Sequence, residues 1–250
     1  MRVASNWSSA VPCGAGCPAS STCRAWVCSS CRADRPFAPE LPIAHGTTAY
    51  ARSKAQAEVY VRRLQDEGAP IRISYPAGIF GPEDPGMSAA TGGFASWPTV
   101  ILVTSSGLSV VDVRDLAALH LKLLELPCGP HRYAATAEML SWADVHALME
   151  NLTGHRIRRL RVPGRLMRAV GSVGDALKLV HDFDYPLTRD TMEFTTRWPG
   201  ADATRTTEEL GIVFRDASDT FRDTLVWMYR AGRLTAAQVG RLAEHEEAAR

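Results

Sequence analysis

The chain has 250 residues, 46% of them hydrophobic, enough to bury the core of one large domain or two small ones. With 28 basic and 27 acidic residues its formal net charge is +1, which gives no electrostatic case for nucleic acid or an anionic membrane as partner. No run of about 18 apolar residues is present, as a membrane-spanning helix would need, and the opening residues lack the continuous apolar region of a secretory leader.

Residues 1–40 differ in composition from the rest of the chain. They are rich in Ser, Cys, Ala, Pro and Arg, without a sustained helical or strand period. Five of the six cysteines fall here, Cys13, Cys17, Cys23, Cys28 and Cys31, and Cys128 alone lies in the body. A secreted disulfide scaffold would spread its cysteines through the fold, so the body reads as cytoplasmic. Three readings of this segment stay open. It is an out-of-frame or wrongly started opening of a truncated product, a flexible tail, or a zinc site using the ligand spacing of Cys28-x-x-Cys31. No second Cys-x-x-Cys or His pair is found downstream, so no metal site is assigned. Gly14-Ala-Gly16 has no apolar strand before it and no helix after it, and is rejected as a dinucleotide fingerprint.

From residue 41 the chain becomes orderly. Thr47 or Thr48 caps a helix that runs to about Glu67, where Gly68 and Pro70 end it. Tyr50 and Lys54 stand four apart on it, one turn apart on one face. A free tyrosine has a pKa of about 10. A lysine ammonium nearby favours the phenolate and lowers that value, so the pair suits proton exchange with an alcohol or carbonyl. Glu58 and Arg62 read as a surface i,i+4 pair. Residues 71–75 form a strand of a parallel sheet. Pro76-Ala-Gly-Ile-Phe-Gly-Pro82 is the loop at its carboxyl end, where open α/β sheets bind ligands, and Gly78 there admits close backbone approach.

Residues 83–98 read as loop with a short helical piece. Residues 100–104 and 108–111 bracket Ser105-Ser-Gly107 as a hairpin. Asp112 caps the next helix, whose apolar stripe is Val113, Leu116, Ala117, His120, Leu121 and Leu124, with His120 a satisfied core residue. Residues 132–135 form a strand. Ser141 caps a helix ended by Gly154, and Pro163 opens another. Arginines at 156, 158, 159, 161, 165 and 168 form a basic, solvated face without the aromatic interleaving of a nucleic-acid site. His181, Asp182, Asp184 and Tyr185 are either pocket residues or loop and capping residues. Thr207 caps a short helix ahead of Gly211. Residues 219–231 form an amphipathic helix with Phe221, Leu225 and Met228 on one face, and 234–250 an exposed charged helix.

Three features resemble, in order, the extended short-chain dehydrogenase/reductase family, the NAD(P)-dependent epimerase/dehydratase group. They are Tyr50-x-x-x-Lys54 on a helix, the strand with its Pro76–Pro82 loop, and the strand-to-helix junction Val110-Val-Asp112-Val-Arg114-Asp115-Leu-Ala117. The similarity covers roughly residues 41–232 and is strongest to dihydroflavonol-reductase-like and steroid-dehydrogenase-like members. It implies an α/β fold, a partial doubly wound (Rossmann-like) parallel sheet with a mostly helical C-terminal substrate-binding part, and a charged helical tail at 233–250. It implies oxidation, reduction, epimerisation or dehydration at a hydroxyl or carbonyl of a small molecule, with NAD or NADP as cofactor. Tyr50 would be the acid/base and Lys54 would hold the cofactor's ribose. Pro76, Gly78 and Ile79 would line the nicotinamide. Val27-Cys28-Ser29-Ser30 resembles the end of the strand carrying the family's catalytic hydroxyl, which makes Ser30 or Ser29 the group polarising the substrate oxygen. The family's Arg before the proline is Tyr75 here. The glycine-rich turn and adenosine-side strands have no counterpart in the sequence, so the alternative is a non-catalytic fragment or binding subunit that needs a partner. Expected partners are a small-molecule substrate and another copy of the chain, with neither nucleic acid nor membrane.

Overall fold

The computed structural model describes residues 20–23, 35–43, 49–178 and 189–248. In chain order the first elements are β1 (Ser20–Cys23), α1 (Ala49–Asp66), β2 (Ile71–Pro76), β3 (Gly78–Phe80), α2 (Ala89–Phe94), β4 (Val100–Val103) and β5 (Gly107–Asp112). Next come α3 (Val113–Glu125), β6 (His131–Ala135), β7 (Met139–Ser141), α4 (Trp142–Thr153), β8 (Arg158–Arg161) and α5 (Gly164–Lys178). The last are α6 (Arg189–Arg197), α7 (Thr204–Leu210), α8 (Ala217–Arg230), α9 (Ala236–Val239) and α10 (Arg241–Ala248).

The strands β1, β2 and β6 form a parallel sheet in the order β1-β2-β6. Every residue of β2 is buried, the signature of a strand covered on both faces. Its alternation divides those faces. Ile71, Ile73 and Tyr75 join Val61 of α1, Phe37 and Trp198 in one apolar cluster. Arg72 and Ser74 point the other way, toward α3: the Ser74 hydroxyl lies 2.9 Å from His120 Nε2, and Arg72 Nη2 donates to the Leu126 carbonyl at 2.7 Å. Helices on both faces of a parallel sheet are the doubly wound arrangement expected from the sequence.

Several expectations are corrected. The loop at 76–82 is partly strand, since Gly78, Ile79 and Phe80 pair in parallel with Val110, Val111 and Asp112. The hairpin at 100–111 does not form. β4 pairs in parallel with β8, and β5 lies between β3 and antiparallel β7. Turn residues permit a hairpin, but partners are chosen over long range: the buried Ser106 hydroxyl donates to the Trp198 carbonyl at 2.8 Å. Gly107 also has a distant partner, because a Cβ there would clash with the Leu140 carbonyl oxygen. In α3 the buried residues are Asp115, Leu116, Leu119 and Leu123, while Val113 and Leu121 are exposed. A leucine-rich helix offers two overlapping stripes, and Asp115 fixes the choice by accepting from the Arg215 backbone at 2.7 Å.

The caps at Asp112 and Ser141 form as expected, and Ser141 makes a full capping box with Asp144. Thr207 is not a cap. α7 starts three residues earlier, at Thr204, whose N–H is taken by Asp202 Oδ1 at 2.9 Å. The charged tail is not an exposed fraying helix either. Leu234, Val239, Leu242 and Ala243 enter the largest core cluster, with Phe80, Phe94, Trp142, Phe221, Leu225 and Met228. Arg241 donates to the Leu152 carbonyl at 3.2 Å and so caps α4 from outside.

Residues 1–40 are not uniformly irregular. Ser20–Cys23 is a strand beside β2, and Phe37 is buried, bridged to Ala201 and tilted against the Tyr75 ring with centroids 5.4 Å apart. Cys128 is disulfide-bonded. Thr47, Thr48, Cys13, Cys17, Cys28, Cys31, His181, Asp182, Asp184 and Tyr185 lie outside the described residues. No helix among the described residues is long and apolar enough to cross a membrane.

Candidate active site

A parallel crossover fixes where Tyr50 and Lys54 stand. Because β1 and β2 run the same way, the helix between them must run back along the sheet. Its contacts show this. Near its end, Gln65 Nε2 donates to the Ile71 carbonyl at 2.7 Å, at the start of β2. Two turns earlier, Glu58 meets Tyr75 near the end of β2. Lys54 lies one further turn on, about 6 Å at 1.5 Å per residue, beyond the level of Tyr75. Tyr50, placed by its backbone in the first turn of α1, lies beyond Lys54. The opening of α1 therefore overhangs the carboxyl edge of β1 and β2, where the chain turns through Ala77 into β3. Lys54 is half-buried there.

The residues expected to line a nicotinamide share that edge but differ in exposure. Pro76 is buried as the last residue of β2, and Ala77 extends the ladder by donating to the Ala135 carbonyl at 2.9 Å. Gly78 is half-buried, but the backbone its small size admits is that of β5: a Cβ there would meet Phe80 Cε2 at 3.0 Å and the Ser109 carbonyl oxygen at 3.1 Å. Ile79 is half-buried and packs against the cluster of Val111, Leu116 and Leu119. Ser29 and Ser30 lie outside the described residues, and the strand found beside β2 is Ser20–Cys23, upstream of them.

One arrangement next to the site was misread from the sequence. Glu58 and Arg62 are not a surface pair: Glu58 is buried, and the Tyr75 hydroxyl donates to it. Arg62 donates to Glu58 Oε1 at 2.7 Å, to the Pro39 and Leu41 carbonyls at 3.0 Å, and to the Tyr75 hydroxyl at 3.4 Å. Burial raises the Tyr75 pKa above its ordinary value, and the Glu58 carboxylate raises it further. Tyr75 is thus held as a neutral donor and is unsuited to proton exchange. The signal in the sequence was the departure itself, a tyrosine where the family has arginine; the acidic and basic partners come from the helix packed on it.

A second charged cluster sits at the β5–α3 junction. Arg114 Nε and Nη2 donate to Asp112 Oδ1 and Oδ2 at 2.8 and 2.7 Å, and Nη2 also reaches Asp223 at 2.8 Å. Burial works to raise the Asp112 carboxyl, but the side-chain and backbone hydrogen bonds of Arg114 outweigh it and the net shift is downward. This motif, read as a junction, is a structural clasp between α3 and α8. Of two surface cavities, of about 430 and 540 Å³, the second is lined by Asp223 of this clasp; neither is lined by Lys54, Pro76, Gly78 or Ile79.

No protein-family profile matches the chain. Among curated proteins it is 26% identical over 201 residues to a protein named sterol demethylase protein B from Methylococcus capsulatus, covering 77% of this chain and 60% of that one. A nucleoside-diphosphate-sugar epimerase from Pseudomonas aeruginosa superposes with a TM-score of 0.67 at 19% identity, covering 86% of this chain and 68% of that structure. A UDP-glucose 4-epimerase from Stenotrophomonas maltophila, solved with bound NAD and a formylated UDP-arabinopyranose, gives 0.61 at 16% identity, covering 86% and 64%. The chain thus spans about three-fifths to two-thirds of the length of these proteins. It resembles the extended short-chain dehydrogenases/reductases of the NAD-dependent epimerase/dehydratase group, and its fold is the one they share.

Proposed function

We propose that this polypeptide carries the catalytic portion of an NAD(P)-dependent oxidoreductase or epimerase/dehydratase acting at a hydroxyl or carbonyl of a small molecule. The observation that supports it is the delivery of Tyr50 and Lys54, one turn apart, to the carboxyl edge of a parallel sheet. The names of the relatives suggest the substrate class, since a sterol and a nucleotide sugar both carry a secondary hydroxyl on a ring.

In this reading the Tyr50 hydroxyl exchanges a proton with the substrate oxygen. Lys54 favours the phenolate by its charge and donates to the ribose hydroxyls of NAD or NADP. Ser30 donates to the substrate oxygen and polarises it. The bound dinucleotide would supply hydride acceptance or donation. Its nicotinamide–ribose end would meet the N-terminal turn of α1, with the backbone of Pro76, Gly78 and Ile79 as the adjoining wall. No glycine-rich strand-to-helix turn for the pyrophosphate is found in the sequence.

Titration calorimetry of the full chain with NAD(H) and NADP(H) tests the reading. Saturable binding weakened at least about tenfold in Tyr50→Phe/Lys54→Ala supports it, a loss of the order of one to two hydrogen bonds. A folded chain that binds neither dinucleotide at millimolar concentration would sink it for this polypeptide. The coverage of about two-thirds then favours the second reading, a binding subunit of the same fold that needs a partner.

A further inference from the structure

The helix α5 turns its apolar stripe outward. Leu166, Val170, Val173 and Leu177 recur at the 4-3-4 spacing of a single helix face, and they are 56, 43, 58 and 55% exposed. Met167, Gly171 and Gly174 are the buried residues of the same helix, which packs on α6. Packing is close at the start of the helix, where a Cβ on Gly164 would meet Thr196 Cβ at 3.1 Å and Arg168 Nη1 donates to Thr196 Oγ1 at 2.9 Å. A surface helix of a globular protein normally does the reverse, burying its large aliphatics. A continuous exposed stripe marks a contact surface.

The charge beside that stripe specifies the contact. Between Glu150 and Asp175 the chain has six arginines and no Asp or Glu. Arg158, Arg159 and Arg161 are exposed on β8, and Arg165 is exposed in the first turn of α5. Among the described residues these four side chains have no hydrogen-bond or ion-pair partner. Arg159 and Arg161 line one surface cavity together with Val162, Pro163 and Gly164, so they adjoin the helix start. Leu160 and Leu102, paired across β8 and β4, add two more exposed leucines. The overall charge of +1 conceals this region because acidic residues elsewhere cancel it.

We propose that the β8–α5 face is a docking surface for an anionic lipid bilayer, with the α5 stripe entering the headgroup–acyl boundary and Arg159, Arg161 and Arg165 binding lipid phosphates. The combination of aliphatic stripe and flanking arginines is that of an interfacial helix. A second copy fits poorly, because a two-fold interface would set the arginine cluster against itself. An acidic protein would match the charge, but the stripe is one residue wide and free of aromatic anchors, whereas protein interface cores are rich in them. A fluid bilayer needs no complementary groove. This inference is independent of the proposed catalysis.

The test is co-flotation of the full chain with vesicles of phosphatidylcholine containing about one-third phosphatidylglycerol, beside vesicles of phosphatidylcholine alone. The chain is expected to float with the anionic vesicles, less so at high salt, and weakly with the neutral ones. The variant Arg159→Glu/Arg161→Glu/Arg165→Glu should weaken binding by at least about 100-fold, from roughly a factor of five per basic residue near the surface. Leu166→Ser/Val170→Ser/Val173→Ser/Leu177→Ser should abolish it while its circular dichroism and melting temperature stay those of the native chain. No flotation of the native chain, equal flotation with both vesicle types, or either variant floating like the native chain overturns the proposal. Variants that instead convert a dimer to a monomer in light scattering, without vesicle binding by the native chain, assign the face to a second copy.

Discussion

The region around β2 and the region around α8 are held together in different ways. Around α8 the core is apolar and aromatic. Phe80, Phe94, Trp97, Trp142 and Phe221 pack in tilted and edge-on contacts with centroids 4.9 to 5.9 Å apart, and Leu225 and Met228 of the same cluster are fully buried. Around β2 the apolar cluster is smaller, and polar and charged groups are buried against the strand. Arg72 is fully buried on the face toward α3, and Glu58 and Gln65 of α1 are buried on the other. Dispersion and area burial stabilise the first region without directional demands. The second depends on every polar group finding its partner, and removal of one partner leaves another stranded. The candidate active site sits on the second region, where polar groups are already fixed in place.

The largest expected effect lies in the aromatic core. Phe221→Ala should destabilise the chain by about 3–5 kcal/mol in urea or thermal denaturation, because neighbouring rings cannot collapse into the space. A loss below about 1 kcal/mol would show that the α8 region does not carry the fold. In the charged region, Glu58→Gln should cost about 1–3 kcal/mol by depriving Arg62 and Tyr75 of their carboxylate. The decisive companion is Glu58→Gln/Tyr75→Phe: coupled groups give a double mutant milder than the sum of the two single changes. Simple additivity would dissolve the network.

Arg72→Met should act in the opposite direction. The Arg72 guanidinium is fully enclosed and donates through Nη2 to the Leu126 and Pro127 carbonyls, while Nε and Nη1 have no partner among the described residues. A buried charge with incomplete pairing is commonly replaced by an apolar side chain of similar size at no loss. A gain of about 1 kcal/mol is expected, and a loss above about 2 kcal/mol would mean that the two carbonyls at the end of α3 depend on it.

The smallest effect is a pH slope. Burial holds the His120 pKa below its ordinary value. The folded state therefore binds fewer protons than the unfolded state once the pH drops past the ordinary histidine range of about 6.5. Stability contributed by neutral His120 is present above that range and is lost as pH falls through it toward the lower folded-state value. Denaturation midpoints measured from about pH 7.5 down to about 5 should decline, and His120→Gln should flatten the decline. Asp112, whose pKa is also lowered, adds a further loss only in more acid solution, as its carboxylate is protonated. An unchanged slope in the His120 variant would remove the histidine from the account.

The elements that could be read directly were those with local causes. The helix carrying Tyr50 and Lys54 is bounded by Gly68 and Pro70, the strand after it by β-branched residues, and α4 by Ser141 and Gly154, all of which act through their own neighbours. The candidate site was legible only as a spacing on one helix beside one strand end. What escaped was pairing. Nothing near Val100 says that its partner is Arg158, and nothing near Ser20 says that Ile71 lies alongside. Glu58 read as a surface residue because its partner, Tyr75, belongs to a different element.

The sequence by itself therefore determined the helix with its Tyr50–Lys54 spacing, the buried parallel strand and the caps, because hydrophobic period, backbone conformational preference and orphan N–H groups are local properties. Only the tertiary structure decided strand order, the burial of Glu58 and Arg72, the entry of residues 234–243 into the main core, and the outward turn of the α5 stripe. Those depend on which surfaces meet after folding, and an amphipathic helix such as α5 does not specify from its own residues which of its sides another element will cover.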